Sequence, residues 1–190
     1  MAVTLFSQRD PRWADIHLGT GQETIGQAGC LMTCVASLLV DVCGVETDPG
    51  RLNRWLACNG GYRDANLFIF SSVAPLGLKL TDVIPCLSDP APMERMVATL
   101  VGGGGVIVKV DFAPGGAIQQ HWVRLLDVGA EDCRIADPWL PPGSVEYWLM
   151  PRYSIPEWPN PERAIMHVAL YERGGGAQAE ATQQRLSIRQ

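Results

Sequence analysis

A chain of 190 residues is sized for one domain, with room for a terminal tail. With 47% hydrophobic residues it is too apolar to be disordered. A net charge of -5, and no cluster of Lys or Arg interleaved with aromatics, gives no electrostatic ground for a nucleic-acid partner. The longest apolar runs, such as Cys30–Val40, are too short to span a bilayer.

In chain order, MAVTLFSQRDPRW has no basic segment ahead of an apolar core. No signal peptide is read, and the default location is cytoplasmic, with export by other means left open. Residues 1–29 form an irregular arm that Trp13 pins to the body. Cys30–Val42 lacks Pro and Gly and is apolar nearly all round, which predicts a buried helix ended by Gly44. Asp48 then Pro49 starts a second helix, Pro49–Cys58, stopped by Asn59 and Gly60. NLFIFSSVAPLG is ambiguous between helix and strand. Asn66 as a cap and the closing Pro75-Leu76-Gly77 favour helix. Asp89 and Pro90 open a further helix that stops at Gly102.

The period then changes. VIVKVDF, HWVRLLDV, CRIADP, VEYWLM and AIMHVALYE are β-rich runs separated by Gly, Pro and Asp turns. Helices first and strands second predict an α+β domain with an antiparallel sheet. The domain is expected over residues 1–172, followed by a flexible or partner-docking tail over 173–190.

Six cysteines (30, 34, 43, 58, 86 and 133) include no CxxC pair. Most are read as reduced, small core residues. Cys30 differs by position, because a helix N-terminus favours a thiolate, and the thiolate is the nucleophile. Gly26 and Gly29 keep bulk away from it. A nucleophile needs a base. His17 lies in the polar arm, and His167 is read as a satisfied histidine among apolar residues. His121 opens a strand after the flexible APGGAIQQ. A base needs an orienter. If HWVRLLDV and RIADP form a hairpin, His121 and Asp137 lie eight residues either side of residue 129, in approximate register. Asp127 is the nearer-turn competitor. Asp137 as a plain turn-former before Pro138 is the alternative.

QRDPRW, TIGQAGC, GGGGVIVKV, HWVRLLDV and IADPW, in this order over roughly residues 5–140, resemble the C39-like (bacteriocin-processing-like) branch of the papain-like cysteine peptidases. The resemblance implies a papain-like fold in which an N-terminal helix carrying the cysteine packs on a C-terminal antiparallel sheet. It implies Cys30 as nucleophile, His121 as general base and acid, and Asp137 as orienter. It also implies an oxyanion-hole glutamine. Thr24 stands six residues before Cys30, where short-spaced members carry that glutamine. Gln8 is therefore preferred and Gln27 is its rival.

The implied reaction is hydrolysis of a peptide or amide bond through an acyl-enzyme, with no metal or organic cofactor. A cell-wall cross-link peptide and a leader peptide are both candidate substrates. Acyl transfer to an amine uses the same triad. A non-catalytic peptide-binding or assembly module is the alternative. A zinc site at Cys30, Cys34 and His121 lacks a fourth ligand. GGGG at 102–105 reads as a helix stop, not a phosphate loop. The tryptophans read as core, with Trp122 and Trp139 placed to shield the His–Asp pair from water.

Overall fold

The computed structural model describes residues 3–114 and 116–175. The arm turns back on itself before α1 (Ile25–Ala28), and Gly29 joins this helix to α2 (Cys30–Cys43). Helix α2 ends at Gly44, in the left-handed conformation at φ 71°. The Asp48 carboxylate accepts the Arg51 N–H at 2.8 Å and caps α3 (Pro49–Cys58), with Pro49 in its first turn. These helices lie where the sequence pattern put them.

A two-stranded hairpin, β1 (Tyr62–Arg63) with β2 (Leu67–Phe68), comes next, then a 3-10 helix over Phe70–Leu76. The segment read as one helix is thus half strand and half 3-10 helix. Asn66 sits in the hairpin turn, and Pro75 keeps the later turns short. Strand β3 (Leu78–Pro85) was not anticipated and precedes a helix, so helices and strands are not fully segregated. Helix α4 (Met93–Val101) starts after Pro92, three residues beyond the Asp89-Pro90 signal. Then come β4 (Gly105–Asp111), β5 (Gln120–Val128), β6 (Cys133–Ala136) and β7 (Glu146–Trp148). Two one-turn helices, α5 (Met150–Tyr153) and α6 (Pro161–Ala164), lead to β8 (His167–Arg173). The expected tail lies outside the described residues beyond 175.

The sheet is antiparallel throughout, in the order β3-β8-β4-β5-β6-β7. One face packs against α2, α3 and the arm, with Ile107, Ala169 and Tyr171 turned to it. The other packs against α4, α5 and α6 through Val106, Val108, Val123 and Leu125. Central β4 is buried along its whole length. Gly105 lets α2 approach β4, since a Cβ there would sit 2.4 Å from a Leu38 methyl. Arg124 on β5 pairs with Asp41 on α2 at 2.7 Å, and Asp41 also accepts the Thr4 N–H at 3.0 Å. Trp13 is buried, its indole N–H donating to the Ser7 carbonyl at 2.8 Å, so it does anchor the arm. The remaining tryptophans are less buried than expected, Trp148 being 51% exposed on edge strand β7. No described helix is long and apolar enough to cross a membrane.

Candidate active site

Cys30 is the first residue of α2 and is half-buried. The chain reaches it through α1, whose Gln27 side chain reaches back to accept the Thr24 N–H at 2.9 Å. Gly26 does more than leave room at the thiol. A Cβ there would lie 2.9 Å from the Ala14 carbonyl oxygen, so it lets the arm lie flat on α1.

His121 is the second residue of β5 and only 3% exposed. Its Nε2 meets Oδ1 of the fully buried Asp137 at 2.7 Å. The two do not face each other directly across the hairpin. Pairs Arg124 with Ala136 and Leu125 with Ile135 put Asp137 opposite Val123, and a bulge at Leu126 displaces the ladder toward the turn. His121 lies two residues from Val123 on the same face, so the contact is diagonal.

Asp137 has a full set of donors. Oδ1 also accepts the Trp139 N–H at 3.0 Å. Oδ2 accepts the Tyr153 hydroxyl at 2.5 Å and meets Arg152 Nε at 2.8 Å. Burial alone would raise this carboxyl, but the His121, Tyr153 and Trp139 bonds hold it below its ordinary value. Burial would likewise lower the His121 imidazole. The bond to Asp137 and the adjoining Cys30 side chain outweigh it and push His121 up to about 9. Phe112 stands edge-on to His121 at 5.3 Å and to Trp139 at 5.0 Å, forming an aromatic collar over the pair. Trp122 points to the opposite face, where Phe70 meets it edge-on at 5.4 Å.

Cys30, His121, Gln8, Gln27, Trp122 and Trp139 line one cavity of about 440 Å³, with Asp137 behind His121. The glutamines differ. Gln8 is 1% exposed, and its Nε2 donates to the Gly26 carbonyl at 2.9 Å. Gln27 is exposed, with its carbonyl engaged at Thr24. All six cysteines are free. Cys34 is buried with Sγ 3.6 Å from the Trp122 carbonyl oxygen, and burial raises its thiol. Burial also raises Cys43 to about 11, Cys133 to about 12, and Cys86. Cys58 is exposed, contrary to the core reading. Among the described residues no group of three or more His, Cys, Asp or Glu is placed to hold a metal ion.

His17 is exposed, as expected. His167 is not a satisfied histidine, for its Nδ1 is buried without a partner. Arg152 and Tyr153 carry no sequence signal for this site and reach Asp137 through the fold of the chain between β7 and β8.

No family model matches the chain, and no curated protein matches it. Among solved structures it is similar in fold to a candidate C39-like peptidase from Bacillus anthracis. The TM-score is 0.52 at 16% identity, over 91% of this chain and 96% of that one. At this identity the likeness is one of fold.

Proposed function

We propose that this protein is a cysteine hydrolase of papain-like fold that cleaves a peptide or amide bond. The observation that carries the reading is the buried His121–Asp137 pair turned to the cavity at which α2 begins with Cys30. Asp137 takes His121 Nε2, so Nδ1 is the nitrogen free for the thiol. Nδ1 takes the thiol proton before the attack, giving a thiolate–imidazolium pair; Sγ then attacks the carbonyl carbon, and the carbonyl oxygen becomes an oxyanion. The imidazolium then gives that proton to the departing amine. A water, deprotonated by His121, attacks the thioester carbon, and the acid product leaves with Cys30 restored as the thiol.

Two donors suit the oxyanion. The Cys30 N–H opens α2 and has no intrahelical partner. The Gln8 amide spends one hydrogen on Gly26 and has a second to give. The free second hydrogen and the burial of Gln8 favour it over Gln27. Removing such a donor costs on the order of 10²–10³ in rate.

Iodoacetamide labelling at pH 6, mapped by mass spectrometry, tests the reading. Cys30 reacts fastest, with exposed Cys58 as the internal reference, and the advantage falls in His121→Ala. Cys30 labelling no faster than Cys58 would leave only the binding-module reading.

A further inference from the structure

A second polar cluster lies across the sheet from Trp122. On β4, Lys109 is the cross-strand partner of Trp122 on β5 and of His167 on β8. The three side chains therefore form one row on the sheet face toward α2, and Trp122 at its end also lines the Cys30 cavity. The Trp122 and His167 rings are 6.3 Å apart.

Lys109 is 8% exposed, yet among the described residues no carboxylate pairs with it. Asp111, two residues along β4, instead accepts the Ala113 and Gln119 N–H groups at 3.2 and 2.9 Å. The His167 Nδ1 is buried and unpartnered. So little exposed a lysine without a counter-ion is costly, and a neighbouring imidazole short of a hydrogen bond adds to the cost. Burial lowers both groups, and Lys109 lowers His167 further. This happens in a protein of net charge -5, where lysine occurs at two positions only.

We infer that Lys109 and His167 form an anion subsite adjoining the Cys30 cavity, which takes a carboxylate of the peptide substrate. The ammonium supplies the charge, the imidazole a directed hydrogen bond, and Trp122 a flat wall that leads the chain toward Cys30. This assignment rests on the hydrolase reading for the peptide's presence in the cavity, but its test does not need the chemistry.

The test uses full-length Cys30→Ser protein with labelled histidines, titrated with three acetylated tripeptides. One ends Ala-Ala-Glu with an amidated terminus, one ends Ala-Ala-Gln amidated, and one ends Ala-Ala-Gln with a free carboxylate. A peptide bearing a carboxylate shifts the His167 ring resonances and binds about tenfold tighter than the uncharged one. Whether the glutamate side chain or the free terminus gives the gain identifies the carboxylate's source. Lys109→Met keeps the apolar stem and abolishes the gain, and His167→Gln reduces it. Equal affinity for all three peptides, no binding at millimolar peptide, or a gain that survives Lys109→Met overturns the subsite. A normal result here with an unreactive Cys30 in the native chain would sink the hydrolase reading alone.

Discussion

Asp137 carries more contacts than a turn-former before a proline needs. Three hydrogen-bond donors and the Arg152 guanidinium converge on its two oxygens, and only one of them is His121. The Tyr153 hydroxyl and Arg152 hold Oδ2, which leaves Oδ1 fixed in line with Nε2. On the hydrolase proposal, Tyr153 would be a positioning residue, acting through Asp137. Tyr153→Phe should lower kcat about tenfold with KM little changed, the size expected for losing a hydrogen bond to a charged group. It should also move the alkaline limb of the pH profile upward, because a less satisfied carboxylate grips the His121 proton more tightly. A mere packing defect would leave that limb in place.

The His121 imidazole gives the sign of the wider pH dependence. Its folded value, raised from 6.5 to about 9, means that its charged form stabilises the fold fully below about 6.5. That contribution fades as pH rises through about 9, and the proposed hydrolysis, in which the imidazolium is the acid, should fade with it. Asp137 works the other way. Its value is lowered, so its contribution is present above the ordinary carboxylate range and is lost as pH falls through the folded value. Proton NMR of the His121 ring checks this. Asp137→Asn should drop the titration midpoint, and an unchanged midpoint would show that Asp137 does not support the charge.

At the scale of elements, legibility followed how local the deciding forces are. Helix α2 was readable because an unbroken apolar run is bracketed by Gly29 and Gly44, and α3 because Asp48 and Pro49 are a local start signal. Strand β3 was not. It is an edge strand in which Leu78 is the only buried residue, and a register shift at Thr81 breaks its alternation. The hairpin arithmetic joined His121 to Asp137 but missed the bulge at Leu126, which makes the contact diagonal. Tyr153 and Arg152 left no local trace, since nothing in MPRY points to a carboxylate 16 residues earlier. The α2–β4 contact makes its own prediction. Gly105→Ala forces a methyl group into Leu38 and should destabilise the fold by about 1–3 kcal/mol in denaturant melts.

Across the whole molecule, the site exists because two separately packed layers meet at one end of the sheet. Helix α2 brings Cys30 from the first part of the chain, while His121 on β5 and Asp137 just after β6 come about 100 residues later. Asp41 helps to tie these parts, taking Arg124 from the sheet and Thr4 from the arm. Asp41→Ala would leave a largely buried guanidinium unpaired and should cost about 2–4 kcal/mol in a denaturant titration.

The most direct test of the central claim is acylation by p-nitrophenyl acetate, followed by rapid mixing and peptide mapping. The expected result is a stoichiometric burst of nitrophenolate and one acetyl group on Cys30, slowed in His121→Ala and Asp137→Asn and absent in Cys30→Ser. No burst, or an acetyl group carried by any other residue, would contradict it.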